Sequence, residues 1–160
     1  MLPLQIAPSS VLRQVAQAVG LPISGEISYL ATEMITAMRH YHGIGLAAPQ
    51  IDKSLRIIVV ATMPQPTIYI NPEIIKTSWR KVDIEEGCLS IPGVYGSVRR
   101  PQRVLARYLD ISGRRHEEWL TEMVARIYQH EVDHLNGVLF VDKALIISSG
   151  RELLAKYGLD

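Results

Sequence analysis

The sequence predicts an α+β fold in which mixed or antiparallel sheets pack around a central helix. Apolar and alternating segments typical of strands are concentrated between residues 56 and 120, and segments with a helical period stand before and after them. The chain has 160 residues, which is enough for one domain with a substantial core. We therefore expect a single domain that spans residues 1–160.

Four segments have the signals of helices. Residues 24–41 carry apolar side chains at intervals of three and four, as an amphipathic helix does. A second stripe of this kind begins after Thr121, which is placed to cap a helix. It ends before Gly137, which can adopt the left-handed backbone of a helix stop. A short helix or turn is expected over 10–19, and a short final helix over 151–157.

The strands are predicted from apolar runs and from alternation of apolar and polar residues. The clearest case is a predicted β-hairpin, in which two alternating segments flank the turn residues Ser112 and Gly113. We also expect two neighbouring segments, 73–79 and 81–84, to pair around a turn. The predicted strands in order are 56–61, 67–70, 73–79, 81–84, 104–108 and 116–120.

The composition of the chain excludes several classes of function. The formal net charge is +1, which gives no electrostatic footprint for nucleic acid. No apolar run approaches the length of a membrane span, and the first residues lack the basic start and apolar core of a signal peptide. The single cysteine cannot form an internal disulfide. We therefore expect a cytoplasmic protein without a direct nucleic-acid or membrane partner.

The central helix carries the most informative motif, His-Glu-x-x-His. In a helix, His130 and His134 lie one turn apart on the same face and can bind one metal ion. Glu131 lies about a quarter-turn away, where it can lean over a metal-bound water. The alternative is a helix whose two histidines are solvated or hydrogen-bonded in a core. The apolar stripe on the same helix favours the metal site.

Two further segments carry candidate site residues. A catalytic metal usually takes three protein ligands, so Cys88 in Glu-Gly-Cys-Leu-Ser is a candidate third ligand; alternatively it is a small buried apolar residue. The segment 43–50 is rich in glycine and alanine, which lets a substrate backbone approach closely, although it could also be a tight connection. Gln50 at its end has an amide donor that could reach a developing oxyanion.

Together the three segments resemble the peptide deformylase family, with GIGLAAPQ at 43–50, EGCLS at 86–90 and QHEVDHLNG at 129–137. The resemblance implies a hydrolase that removes the N-formyl group from the N-terminal methionine of newly made polypeptides and releases formate. It also implies one divalent metal ion, Fe²⁺ in the cell, with Zn²⁺, Ni²⁺ or Co²⁺ as substitutes. The implied partners are N-formylmethionyl peptides.

The resemblance also implies a role for individual residues. Metal-bound hydroxide attacks the formyl carbon with Glu131 as general acid/base, while the Gln50 side chain and the Leu89 N–H bind the oxygen that becomes negative. The implied metal ligands are Cys88, His130 and His134. The residues expected to contact the substrate are Ile44, Gly45, Met123, Ile127 and Tyr95, of which Met123 and Ile127 are also candidates for the core.

Three departures from the family pattern limit what the resemblance implies. Ile51-Asp52 follows the first motif where the family usually has Val-Gly, so a different turn is expected there. Many members have a substrate-holding arginine where this chain has Tyr95, so Tyr95 itself or Arg99 would have to replace it. The tail after Asp142 is short and only modestly charged, whereas members that dock on the ribosome do so through a longer basic helix. A ribosome contact through this tail is therefore not expected.

Two other functions fit part of the pattern. A zinc endopeptidase also uses His-Glu-x-x-His, but its third ligand lies downstream, where only Glu152 could serve. A deformylase-like protein that binds peptides or metal without turnover is the second alternative. The intact set of Glu131, Gln50 and three ligands argues against it.

Overall fold

Two antiparallel sheets enclose one long buried helix in the computed structural model, which describes residues 2–159. The first sheet has the order β1-β2-β3-β6-β7 and the second β4-β5-β8. The helices are α1 (Gly25–His40) and α2 (Glu122–Leu135). The strands are β1 (Gly45–Ala47), β2 (Ile57–Val60), β3 (Thr67–Thr77), β4 (Lys81–Gly87), β5 (Tyr95–Pro101), β6 (Arg103–Leu109), β7 (Arg115–Thr121) and β8 (Ala144–Ser149). The predicted α+β class is confirmed, and every strand pair in the sheets is antiparallel.

Helix α1 and the β6–β7 hairpin form where the sequence pattern predicts them. The Ser24 side chain accepts a hydrogen bond from the N–H of Ile27 and caps α1. Helix α1 buries Met34 and Met38 against the first sheet. In the hairpin, alternate residues of β6 point inward, so that Val104, Ala106 and Tyr108 are buried.

The predicted pairing of 73–79 with 81–84 is wrong. Residues 67–77 form the single strand β3, which pairs with β2 and β6, whereas β4 belongs to the other sheet and pairs with β5. Strand β3 continues through Asn71 and Pro72 because its register with β6 shifts at that point. A bulge of this kind accommodates a proline and a left-handed residue, which in the sequence alone indicate a turn.

The expected final helix over 151–157 is also wrong in detail. The segment forms two separate 3₁₀ turns, Arg151–Leu153 and Ala155–Tyr157. Left-handed glycines, Gly150 and Gly158, border the segment on both sides. A stretch this short cannot gain enough backbone hydrogen bonds to propagate an α-helix. The expected turn near the N-terminus is a single 3₁₀ turn, Ser10–Arg13.

Helix α2 is buried along most of its length. Tyr128 is fully buried, its ring lies edge-on to Tyr69 with 5.0 Å between centroids, and its hydroxyl donates to the carbonyl of Glu73 at 3.0 Å. The helix stop at Gly137 is confirmed, with a φ of 71° and backbone of Arg13 only 2.6 Å from where a Cβ would lie. The predicted cap is not formed, since the Thr121 side chain makes no capping hydrogen bond.

No helix within residues 2–159 combines the length and the apolar character that crossing a bilayer requires.

The Asn71 side chain should stabilise the fold by joining β3 to the segment before α1. Its Oδ1 accepts from the N–H of Val19 at 2.8 Å and its Nδ2 donates to the Val19 carbonyl at 2.9 Å. We expect Asn71→Ala to lower the free energy of unfolding by about 2 kcal/mol, because two part-buried hydrogen bonds are lost. Urea unfolding of the wild type and the variant measures the difference.

Asn71→Gly is the matched control, because Asn71 has a left-handed φ of 50°. Glycine loses the same two hydrogen bonds but accepts this backbone conformation, so it should be more stable than the alanine variant by roughly 1 kcal/mol. An alanine variant as stable as the wild type would contradict the role of these hydrogen bonds.

Candidate metal centre

Three separate segments converge at one end of helix α2. The helix supplies His130, Glu131 and His134 from its inner side. The loop that follows β4 supplies Cys88, and the 3₁₀ turn Ala48–Ile51 that follows β1 supplies Gln50. The three sequence motifs therefore meet in space, although up to about 90 residues separate them along the chain.

The side chains of Cys88, His130 and His134 form a donor set for one metal ion. One ligand atom from each residue lies within 4.8 Å of the others, and the Cys88 Sγ lies 3.2 Å from the His134 Nε2. The His130 Nδ1 is hydrogen-bonded to the Glu86 carboxylate at 2.9 Å, which leaves Nε2 for a metal. One thiolate and two imidazoles are a donor set suited to zinc, iron, nickel or cobalt.

The Glu86 carboxylate is the centre of a buried ion-pair cluster behind His130. Arg100 donates to both of its oxygens, at 2.6 and 2.9 Å, and Arg126 donates to Oε1 at 2.8 Å. Arg100 also reaches the Asp133 carboxylate at 2.7 Å. All four charged side chains are buried, so each charge depends on these partners.

Burial and the hydrogen bonds at the site shift the pKa values of Glu86, His130 and His134. Burial alone would raise the pKa of Glu86, but hydrogen bonds from Arg100 and His130 hold it far below its usual value. Burial would lower the pKa of His130, yet its hydrogen bonds with Cys88 and Glu86 raise it well above the usual value. Burial and the nearby charge of His130 lower the pKa of His134 well below its usual value.

Glu131 is a buried carboxyl group placed to exchange protons at neutral pH. It is 4 % exposed, and its Oε2 has no hydrogen-bond partner within residues 2–159. Burial raises the pKa of Glu131 to about 7. A group with a pKa near the working pH both accepts and returns a proton readily, as a general acid/base must.

Gly45 lies directly against Glu131. A Cβ at this position would be 2.4 Å from the Glu131 Oε1 and 2.6 Å from a methyl carbon of Ile127. Both contacts are far below van der Waals separation, so only glycine fits here without displacing the carboxylate. The close approach seen at Gly45 is thus to the Glu131 carboxyl group and to Ile127, while contact of Gly45 with a substrate backbone stays a prediction.

The Gln50 side chain has a defined amide orientation. It is 2 % exposed, and its Oε1 accepts from the Ala47 N–H at 2.9 Å. The amide nitrogen is therefore directed away from Ala47, with Ser90 Oγ at 3.1 Å and Cys88 Sγ at 3.6 Å. Gln50 reaches the donor set as an N–H donor, which is the polarity that a developing oxyanion requires.

A pocket of about 660 Å³ opens in front of the donor set. Ile44 and Met123 lie on its rim, 58 % and 50 % exposed, whereas Ile127 is buried and belongs also to the core. Tyr95 lines the pocket with its ring against the α-carbon of Gly87. The predicted substrate residues, together with Leu89, are thus brought to one cavity, while their individual roles stay predictions.

Two alternatives from the sequence are not supported by the positions of the residues concerned. Arg99 does not line the pocket and pairs with Asp83 at 2.7 Å, whereas Tyr95 does line the pocket. Glu152 is exposed on a 3₁₀ turn and is not part of the donor set, where Cys88 is the third ligand instead.

Sequence reasoning missed three residues that surround the site. Ile84, Glu86 and Arg126 all line the pocket. Glu86 stands inside a quoted motif, and its position two residues before Cys88 is the one signal that could have indicated it. Arg126 resembles an ordinary surface charge of a helix, and only its position one turn before His130 suggests an inward direction.

The chain is similar to known proteins along nearly its whole length. A family model described as polypeptide deformylase matches residues 1–149. The peptide deformylase of Dictyoglomus thermophilum is 46% identical over 123 residues, which cover 77% of this chain and 80% of the relative. A Synechococcus elongatus peptide deformylase in complex with actinonin has 39% identity and a TM-score of 0.89, with 99% of this chain and 89% of that chain covered.

A third relative has a peptide in its structure. The Acinetobacter baumannii class I type b peptide deformylase bound to Met-Ala-Ser has 37% identity and a TM-score of 0.85. The match covers 89% of this chain and 98% of that one. Similarity in sequence and similarity in fold therefore coincide over the region that contains the metal centre.

The ion pairs of Glu86 should stabilise both the fold and the metal site. We expect Glu86→Gln to lower the free energy of unfolding of the metal-free protein by about 3–5 kcal/mol, because Arg100 and Arg126 lose a buried counter-charge. We also expect the affinity for zinc to fall by roughly 10–100-fold, because His130 loses the acceptor that orients its ring. Urea unfolding and a zinc titration against a chelating dye measure the two effects.

Glu85→Gln is the matched control on the same strand, since Glu85 is exposed. It should change the free energy of unfolding by no more than about 0.5 kcal/mol. If both variants behaved alike, the buried cluster would not have the role assigned to it.

Proposed function

We propose how the site carries out the reaction of the family to which the chain belongs, since it is a peptide deformylase of the polypeptide deformylase family. The proposed catalytic residues are Glu131, Gln50 and Leu89. They act at the metal site formed by Cys88, His130 and His134. The proposal depends on the closeness of a carboxyl group, an amide donor and a metal donor set. A buried carboxyl with a pKa of about 7 lies beside a three-residue donor set, of which Cys88 and His130 line the pocket, and the Gln50 amide nitrogen lies next to Cys88. We also propose that residues 1–160 act as one catalytic domain.

The bound metal would be held by one thiolate and two imidazole nitrogens. A divalent ion in this place polarises a carbonyl group and lowers the pKa of water toward neutrality. We propose Fe²⁺ in the cell, with Zn²⁺, Ni²⁺ or Co²⁺ as substitutes, because thiolate and imidazole ligands accept all four. Glu86 keeps His130 in the tautomer that offers Nε2, since the proton on Nδ1 is shared with a carboxylate at 2.9 Å.

Glu131 moves the proton in both halves of the reaction. Its carboxylate takes a proton from the water whose oxygen bonds to the formyl carbon. The same proton then passes to the nitrogen of the leaving amine as the C–N bond breaks. The products are formate and a peptide with a free N-terminal amine, so the atoms of one water and one formamide are accounted for.

Gln50 and Leu89 act on the oxygen of the formyl group. As the carbonyl carbon becomes tetrahedral, its oxygen gains negative charge, and N–H donors that are already in position stabilise it without reorganisation. The Gln50 Nε2 lies 3.6 Å from the Cys88 Sγ and is therefore beside the donor set. Leu89 follows Cys88 in the chain and lines the pocket, which puts its N–H within the same loop.

The substrate is proposed to be an N-formylmethionyl peptide, such as a nascent chain in the cytoplasm. The walls that receive the first side chain include Ile44, Ile84 and Ile127, which suit the apolar and unbranched chain of methionine. A relative of similar fold has Met-Ala-Ser bound, which is the product of such a substrate. Tyr95 would then contact the peptide beyond its first residue, and no ribosome contact through the tail is proposed.

Replacing Glu131 should separate catalysis from metal binding. We expect Glu131→Gln to lower kcat for formyl-Met-Ala-Ser by at least ~10²-fold, because the amide cannot accept the proton of the attacking water. The metal content should stay at the level of the wild type. Formate release from nickel-loaded enzyme and metal analysis of the same sample make the measurement.

Glu122→Gln serves as the control for a glutamate change on the same helix, because Glu122 is exposed in the first turn. This variant should keep the activity of the wild type. Nearly full activity in Glu131→Gln, with metal bound, would remove Glu131 from the mechanism.

Removal of the Cys88 thiolate should abolish the stabilisation of the fold by added metal. In the wild type, zinc at about 100 times its dissociation constant should stabilise the fold by roughly 2.7 kcal/mol, and a chelator should reverse this. In Cys88→Ser we expect little or no zinc-dependent rise in Tm, since a serine hydroxyl is a poor ligand for these ions. A zinc-dependent rise equal to that of the wild type would show that Cys88 is not a ligand.

A further inference from the structure

Ser90 stands at the contact between the metal loop and the Gln50 side chain. It is completely buried, and its hydroxyl oxygen lies 3.1 Å from the Gln50 Nε2. Its own N–H donates to the Cys88 Sγ at 3.4 Å, and its carbonyl accepts from the N–H of Ala7 at 2.9 Å. Ser90 is thus held in place by its backbone, while its hydroxyl remains to act on Gln50.

The Gln50 amide nitrogen has two protons about 120° apart and two acceptors close by. The Ser90 Oγ at 3.1 Å is the nearer acceptor, and the Cys88 Sγ at 3.6 Å is the farther and weaker one. The Ala47 N–H fixes the other end of the amide by donating to Oε1. With one end fixed and one proton bound by Ser90, the second proton has a single direction left, toward the donor set.

We propose that Ser90 is a positioning residue for deformylation, whose buried hydroxyl binds one amide proton of Gln50 and directs the other at the oxygen of the formyl group. The proposal rests on the oxyanion role proposed above for Gln50. Ser90 does not touch the substrate and acts through Gln50 alone. The serine of the Glu-Gly-Cys-Leu-Ser segment thereby links the motif that supplies the thiolate to the motif that supplies the amide.

The effect of Ser90 should appear in the transition state and not in substrate binding. An amide that is no longer held at its nitrogen can turn away from the oxyanion, which forms only as the reaction proceeds. We expect Ser90→Ala to lower kcat by about 10-fold, less than the full loss of a donor, with KM changed by less than about twofold. Ser97→Ala, which removes a half-buried hydroxyl on β5 outside the pocket, is the control and should leave both constants unchanged.

A double-mutant cycle with Gln50→Ala tests whether Ser90 acts through Gln50. The four proteins are loaded with nickel and assayed for formate release from formyl-Met-Ala-Ser. In the Gln50→Ala background, Ser90→Ala should have almost no further effect on kcat, because the group it positions is gone. An equal loss of kcat in both backgrounds would mean a general structural effect and would overturn the proposal.

The cycle also separates this proposal from the one on which it rests. Unchanged kcat in Gln50→Ala would overturn the oxyanion role of Gln50 and the role of Ser90 together. A clear loss in Gln50→Ala with an unchanged Ser90→Ala would overturn the role of Ser90 alone. A crystal structure of zinc-loaded Ser90→Ala provides a readout without turnover, in which the Gln50 amide should be displaced and the three ligands unmoved. An undisplaced amide would contradict the proposal.

Should the alanine variant fail to fold, Ser90→Cys keeps nearly the same volume and replaces the oxygen by a weak acceptor. It should show the same selective loss of kcat and the same lack of effect in the Gln50→Ala background. A zinc stoichiometry of one per chain confirms that the new thiol has not created a second site. Wild-type kcat in this folded variant would overturn the proposal.

Discussion

The rest of the site depends on the ion pairs and hydrogen bonds of the buried Glu86 carboxylate. It lies on β4 and binds Arg100 of β5 and two side chains of helix α2, Arg126 and His130. Asp133 completes the cluster, so that two carboxylates face two guanidinium groups away from water. Because a buried charge without its partner costs several kcal/mol, the helix cannot slide or rotate against the second sheet without a large penalty. The position of the metal ligands on the helix follows from this constraint.

The other half of the site is held by backbone hydrogen bonds of the N-terminal segment. The N–H of Gln5 donates to the carbonyl of Gln50 at 2.7 Å, and the N–H of Ala7 donates to the carbonyl of Ser90 at 2.9 Å. The two N–H groups belong to one short segment, which therefore holds both loops. The amide of Gln50 and the loop of Cys88 are therefore joined twice, through their side chains on one side and through this segment on the other.

The sequence predicts the three metal ligands better than it predicts the pairing of the strands, for a physical reason. The spacing of His130 and His134 is a property of one helix, and the roles of Gln50 and Cys88 are indicated by short motifs that resemble a known family. The Glu86 cluster is not predictable in this way, because Arg100 lies 14 residues and Arg126 lies 40 residues from Glu86. Two arginines that read as surface charges become interior residues only when β5 and α2 pack on β4.

The error over β3 and β4 has the same origin. Asn71-Pro72 and Ser78-Trp79-Arg80 both look like turns, and local signals cannot tell which one ends a strand. Hydrogen bonds with residues distant in the chain decide which of these two segments ends the strand. The two hydrogen bonds of Asn71 with Val19 hold the first segment within the sheet, whereas the N–H of Ser78 donates to the carbonyl of Arg103 and directs the chain toward the second sheet.

Within the part of the chain that the structure describes, the buried side-chain polar atoms that the fold leaves without partners lie at the metal site. Within residues 2–159, the buried side-chain atoms in this condition are the Glu131 Oε2 and the His134 Nδ1. An unpaired buried acceptor costs about 1–3 kcal/mol, so selection for stability alone would remove it. For Glu131 the cost has a chemical consequence, since burial raises the pKa of this carboxyl to about 7 even though the nearby charge of His130 acts to lower it. The neighbouring carboxylate Glu86, with two guanidinium partners, has its pKa shifted in the opposite direction. Two glutamates close to His130 thus have pKa values shifted in opposite directions, because Arg100 and Arg126 form hydrogen bonds with Glu86 while burial dominates at Glu131.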